Sequence, residues 1–178
     1  MGIAPALLQI LDRLNFKTPT PIQAQAIPIG IEGKDIIGIA QTGTGKTLAF
    51  GIPIIQRLAQ LKTQALILLP TRELALQVDE MLRKVGERVG LRTAVLIGGA
   101  SMGPQLQTLH RKPHVIIATP GRLIDHINQK NVHLRNARIV ILDEADRMLD
   151  MGFAPQLKKI FVALPPPEAR QTMLFSAT

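Results

Sequence analysis

The chain has 178 residues, 46% hydrophobic and 19% charged, with no cysteine and a formal net charge of +8. That is long enough for one domain with a substantial core and too apolar for a disordered chain; no disulfide framework or cysteine-based metal site is possible. No apolar run reaches the roughly 18 residues of a membrane span, and no basic region precedes the apolar N-terminal residues as in a secretory signal, so a cytoplasmic protein is expected. The positive surplus suits a polyanionic partner, nucleic acid before anionic membrane, with scattered surface charge as the alternative.

Leu7, Leu8, Leu11 and Leu14 recur at helical spacing across 3–14, with Pro5 tolerable in the first turn. The stretch from Asn15 to Pro21 breaks that pattern, and a second short helix is predicted over 22–30. Asp35-Ile36-Ile37-Gly38-Ile39 reads as a short buried strand running into Ala40-Gln41-Thr42-Gly43-Thr44-Gly45-Lys46-Thr47. Leu48 to Ile55 continues as an apolar helix. Further apolar runs at 65–69, 92–97, 115–118, 138–142 and 171–175 resemble buried strands. Helical patterns fill the intervals at 73–89, 102–110, 121–129 and 144–164, the last broken near Met151-Gly152. Near-continuous apolar strands alternating with helices predict an α/β domain, its mostly parallel sheet covered on both faces. Pro165-Pro166-Pro167 is the only linker-like stretch, and no domain boundary is expected.

Strand, glycine-rich turn, Gly45-Lys46-Thr47 and helix is the layout of a phosphate-binding loop. Glycines let successive N–H groups converge on an anion at a helix N-terminus. Lys46 would reach the β- and γ-phosphates and the Thr47 hydroxyl would ligate Mg²⁺. Position 40 is Ala where the general pattern has Gly, so a plain Gly/Thr turn remains the alternative on this stretch alone. Ligands of an open α/β sheet bind past the carboxyl ends of its strands, and every run here is followed by a polar or glycine-bearing signature. These are the phosphate loop, Pro70-Thr71-Arg72-Glu73, Gly98-Gly99, Thr119-Pro120-Gly121-Arg122, Asp143-Glu144-Ala145-Asp146 and Ser176-Ala177-Thr178. Asp143, at a strand tip, can hold Mg²⁺, and Glu144 can take a proton from an attacking water. Both acids also suit the start of the next helix, where the dipole favours negative charge.

With Pro19-Thr20-Pro21-Ile22-Gln23 and Pro70 to Gln77 added, these signatures in their order resemble the motifs of the DEAD-box ATP-dependent RNA helicases over the whole chain. That family usually begins its phosphate loop with Ala, which accounts for Ala40. The resemblance implies a RecA-like P-loop NTPase domain, the first of two, spanning 1–178, with an adenine-recognition region at 1–33. It implies ATP and Mg²⁺ as cofactors. Gln23 would read the adenine edge, Phe16 and Lys17 would pack at the base, and Gln41, Thr42, Gly43, Thr44, Gly45, Lys46 and Thr47 would hold the phosphates. Thr47 and Asp143 would hold the metal, and Lys46, Asp143 and Glu144 would serve catalysis. Ser176 and Thr178 would link the nucleotide site to unwinding, through hydrogen bonds to Asp146.

The family's RNA-backbone contacts fall on Pro70, Thr71, Arg72, Gly98, Gly99, Gln105, Thr119, Gly121 and Arg122. With no Trp, no Tyr and five Phe, a base-stacking platform is not expected, and the RNA reading is backbone tracking without sequence preference. The family's second RecA-like domain supplies an arginine finger worth about 10³–10⁵ in rate, and no arginine here matches it. An aromatic residue that the family usually carries upstream of the helix at Ile3 is also absent. The expectation is a monomeric lobe of a longer RNA helicase that binds ATP, hydrolyses it poorly and unwinds nothing alone. Two other classes compete. A pure nucleotide-binding module would not need Glu144 beside Asp143, and an ATPase moving DNA or protein would not need the Gln23 motif together with 143–146.

Overall fold

The computed structural model describes residues 1–178. Its strands are the apolar runs: β1 (Ile36–Ile39), β2 (Gln64–Leu68), β3 (Thr93–Leu96), β4 (Val115–Ala118), β5 (Ala137–Leu142) and β6 (Gln171–Ser176). They form one sheet in the order β1-β6-β5-β2-β4-β3, with every pairing parallel. The register sets Ile39 beside Ser176, Leu68 beside Leu142 and Ala118, and Leu96 beside Ala118, so all six strands end at one edge. Two helices, α1 (Pro5–Arg13) and α2 (Pro21–Ile31), precede β1; a parallel sheet needs a crossover between its strands, and α3 (Lys46–Gln60), α4 (Arg72–Gly86), α5 (Met102–His110), α6 (Pro120–Asn128), α7 (Ala145–Asp150) and α8 (Ala154–Ala163) supply them.

Alternation along each strand divides the core in two. Ala65, Ile67 and Leu69 face a cluster of 25 buried residues contributed also by α1 to α4, while Leu66 and Leu68 face a cluster of 15 shared with α6, α7 and α8. Each fully buried Leu, Ile or Phe is worth about 1.5–3 kcal/mol relative to exposure. Gly38 permits a close approach inside the first cluster: a Cβ there would lie 2.7 Å from the ring of Phe175, which packs against Phe50 with ring centroids 5.5 Å apart. The second face is not covered to its end. On the outermost strand β1, Ile37 and Ile39 are 79% and 68% exposed.

One helix boundary differs from the sequence reading. The pattern over 73–89 divides at Gly86, after which residues 87–89 tighten into a 3₁₀ turn, with Leu91 N–H donating to Gly86 C=O at 3.0 Å. The pattern over 144–164 breaks where the sequence indicates, dividing into α7 and α8 at Gly152, which takes φ 81°.

Candidate active site

The phosphate loop leaves β1 and enters α3 through Gly43 and Gly45, at φ 85° and 83°. These are left-handed conformations that cost a side-chain-bearing residue about 1–2 kcal/mol. The Thr44 hydroxyl donates to Gln41 C=O at 2.6 Å, folding the loop on itself. Gln23 ties it to α2. Its Oε1 accepts from Thr20 N–H at 3.0 Å, half of a capping box, and its Nε2 donates to Gly45 C=O at 3.1 Å. A Cβ on Gly45 would lie 2.5 Å from that Nε2, so glycine is required by contact as well as by φ. The Gln23 amide keeps one N–H and one lone pair for a ligand. Phe16, Lys17 and Gln23 line one cavity of about 280 Å³, floored by Leu11, Ile27 and Leu48.

Lys46 is buried, and its Nζ lies 2.8 Å from Glu144 Oε1 and 3.5 Å from Asp143 Oδ1. Burial alone would lower the lysine's pKa, but the hydrogen bond to Glu144 and the two negative charges raise it above its ordinary value. Burial is the larger influence on Asp143, and it lifts that carboxyl above the usual range despite Lys46. Asp143 N–H donates to Leu68 C=O at 3.0 Å, one residue past β5, and Asp143 Oδ1 accepts from Glu144 N–H at 2.9 Å. Glu144 has φ 56° at the N-cap of α7, a rare conformation for a non-glycine residue and the kind of strain that gathers at working sites. Asp143 and Glu144 therefore do precede a helix, but their side chains turn to the phosphate loop. Thr47 stands beside Lys46 in the first turn of α3.

Past β6, the Thr178 hydroxyl donates to Asp146 Oδ2 at 3.2 Å. Burial would raise the Asp146 pKa, but the hydroxyls of Ser176 and Thr178 and the first amides of α7 hold it low. Ser176 C=O accepts from Ala40 N–H at 2.9 Å, joining this segment to the phosphate loop.

The sheet's C-terminal edge thus has two halves. The ends of β1, β6 and β5 carry the groups above; the ends of β2, β4 and β3 carry the other predicted residues. Pro70 is buried, Thr71 caps α4 by accepting from Leu74 N–H at 3.3 Å, and exposed Arg72 reaches over Gly99, where a Cβ would lie 2.4 Å from Nη1. Gly98 and Gly121 are exposed, with open space where a Cβ would stand. Thr119 is the N-cap of α6. Arg122 donates to Ala100 C=O at 2.8 Å and to Gln105 Oε1 at 3.3 Å.

Gln105 does not stand on this surface. It is buried, donates to Ile97 C=O at 2.9 Å and accepts from both Arg122 and His126 Nε2, the latter at 2.8 Å. His126 and Asn131, which the sequence reading did not single out, complete the network, with Asn131 Nδ2 3.1 Å from His126 Nδ1. No local sequence signal marks them, because their partners come from separate elements.

A parallel α/β sheet with a phosphate loop and strand-tip acids at its C-terminal edge defines a RecA-like nucleotide-binding domain. The profile of the DEAD/DEAH box helicases matches residues 20–178, and the chain belongs to that family. It is 50% identical over 181 residues to the ATP-dependent rRNA helicase RRP3 of Yarrowia lipolytica, covering 100% of this chain and 37% of that protein. It is 47% identical over 180 residues to the DEAD-box ATP-dependent RNA helicase CshA of Bacillus cereus, covering 100% of this chain and 34% of that protein. Among solved structures, a hypothetical ATP-dependent RNA helicase from Sulfolobus tokodaii superposes with a TM-score of 0.88 at 36% identity, over 97% of this chain and 50% of that one. The chain spans about a third of the length of the relatives RRP3 and CshA.

Proposed function

We propose that residues 1–178 are the ATP-binding RecA-like lobe of an RNA helicase, with adenine recognised by the 1–33 region. The reading is carried by one observation: a buried phosphate-loop lysine held by two strand-tip carboxylates, beside a cavity lined by Phe16, Lys17 and Gln23. Triphosphate oxygens would replace the carboxylates as partners of Lys46, with the Thr44 to Thr47 amides supplying further donors. Release from Lys46 leaves Glu144 Oε1 free to accept a proton from water. The donor set fits Mg²⁺, which prefers hard oxygen ligands and keeps several waters: the Asp143 carboxylate and the Thr47 hydroxyl, completed by phosphate. When bound, the ion would neutralise charge developing on the phosphates.

Arg72, Thr71, Gly98, Gly99, Thr119, Gly121 and Arg122 form the RNA face of this proposal, where small residues let a sugar–phosphate backbone approach closely. Gln105 acts there as a positioning residue that orients Arg122. Thr178 and Ser176 couple the two halves through Asp146. A second RecA-like domain completes the site, and the cytoplasm is the compartment in which it works.

ATP turnover by this chain, with and without single-stranded RNA, tests the reading when measured beside the chain joined to such a second domain. Stimulation by RNA only in the joined protein supports a composite site. RNA-stimulated turnover by the lobe alone overturns it. In the joined protein, Glu144→Gln should keep ATP affinity and lose turnover.

A further inference from the structure

The N-terminal edge of the sheet, opposite the nucleotide site, gathers much of the chain's positive surplus. A cavity of about 470 Å³ is lined by Arg57, Lys62, Arg138 and Arg170, with Glu168 its single carboxylate. A second, of about 670 Å³, is lined by Lys62, Arg92 and Lys112 and holds no acid. The two share Lys62, Thr63 and Asn136 and so form one trough. It runs from the start of β6 past β5, β2 and β4 to β3. Four steps between neighbouring strands give it a length of about 19 Å.

None of the six cations belongs to any of the chain's seven ion pairs. Three of the four arginines are oriented by neutral oxygens instead. Arg57 donates to Gln171 Oε1, Arg92 to the carbonyls of Arg111 and Lys112, and Arg170 to Pro165 C=O and the Thr172 hydroxyl. Such bonds fix the guanidinium groups without cancelling their charge. Lys62, Lys112 and Arg138 are exposed and make no side-chain hydrogen bond or ion pair. Helices that follow parallel strands return to this edge, so their negative dipole ends offer a competing reason for cations here. Half a charge per helix end explains Arg57 in the last turn of α3 and Arg92 over the α5 carbonyls. It reaches Lys62 and Lys112 as well, each one residue past a helix C-cap, but leaves Arg138 on β5 and the near absence of acids along the trough unexplained.

We propose that this trough is a second polynucleotide-backbone surface, binding single-stranded RNA through phosphates on the side of the sheet away from the ATP site. Its length favours a chain of phosphates over one nucleotide. Besides charge, the lining offers a base Thr, Asn, Gln and His side chains and some aliphatic surface but no aromatic ring to stack on, so binding there carries no sequence preference. The proposal rests on RNA being the ligand but not on the contacts at the C-terminal edge.

The test is fluorescence anisotropy of a labelled oligouridylate with the whole chain across a salt series, comparing the triple variant Lys62→Ala/Lys112→Ala/Arg138→Ala with Arg72→Ala. The triple variant should melt with the unaltered chain, bind about tenfold more weakly, and lose about 2 from the slope of log affinity against log salt, near 0.7 per phosphate contact. Unchanged affinity and slope overturn the proposal, and a fall confined to Arg72→Ala does so while leaving the C-terminal-edge reading intact. A lower melting temperature with an unchanged slope assigns these residues to helix-end compensation and also overturns it. Polyglutamate displacing RNA at equal charge concentration from the Arg72→Ala chain points to an acidic polypeptide and refutes the nucleic-acid assignment.

Discussion

The ammonium of Lys46 stands between two buried carboxylates that would repel each other without it. Lys46→Met leaves both acids unpaired in a low-dielectric site, and losing one partner of a buried pair costs about 3–5 kcal/mol. At least one carboxyl then holds its proton to higher pH in the folded than in the unfolded chain. The folded state binds more protons, so the variant's stability falls as pH rises through that raised pKa and recovers as pH falls toward the carboxylate range. Urea melts at neutral and mildly acidic pH check the sign, and a penalty equal at both would show that the cost is packing alone. Mg²⁺-ADP at a hundred times its Kd should stabilise the unaltered chain by about 2.7 kcal/mol and leave Lys46→Met unmoved. His126 gives a pH dependence of opposite sense. Burial first, and Arg122 second, lower its pKa, against Asp125. The unfolded chain therefore binds more protons, and stability is lost as pH drops below about 6.5, the ordinary histidine value. His114, lowered by burial and Arg92, adds in the same direction. His126→Asn should flatten that acid-side loss in melts taken between neutral pH and the carboxylate range.

Among the elements, α2 couples fold to site most directly, because its capping box uses the same Gln23 that holds Gly45. Thr20→Ala removes the hydroxyl that accepts from Gln23 N–H, at about 1 kcal/mol, while Thr20 N–H and Gly45 C=O keep their bonds to the Gln23 side-chain amide. The expected result is a modest loss in a urea melt with adenine-nucleotide affinity kept, whereas Gln23→Ala, which removes the bonds to Thr20 N–H and Gly45 C=O, should lower affinity as well; an equal loss of affinity in Thr20→Ala would show that the cap itself holds the site. Strands were legible in the sequence because a parallel sheet buried on both faces leaves little room for polar residues, as in Ala65 to Leu69 or Ile139 to Leu142. The phosphate loop was legible because glycine at Gly43 and Gly45 is a backbone requirement. Other features carried no local mark. The left-handed turn at Glu144 accompanies a hydrogen bond to Lys46, a partner 98 positions away in the sequence. The role of Gln105 needs α6 and Asn131, which the fold alone brings to it. That is why a residue expected among the RNA contacts is instead buried beneath Arg122.

Over the whole molecule, parallel pairing sends every strand end to one edge and every strand start to the other, and the chemistry divides accordingly. Net charge was legible as a number, but its concentration along the N-terminal edge was not, since Arg57, Arg92, Lys112 and Arg170 are far apart in sequence. The same topology leaves one weakness. Parallel strands are stable when both faces are covered, yet α6, α7 and α8 pack over the inner strands and leave Ile37 and Ile39 of β1 open. β1 is also an edge, with an unpaired row of backbone groups on its outer side. Exposed apolar side chains on an edge strand promote pairing between molecules. Sedimentation velocity on the isolated chain should show association that grows with concentration. The Ile37→Lys/Ile39→Lys variant should stay monomeric, because two like charges on the edge oppose docking of a second copy. It should also bind nucleotide as the unaltered chain does, since neither residue lines the adenine cavity and both side chains are largely exposed. If the lysine variant associates equally, the contact lies elsewhere and β1 is protected by its shortness alone.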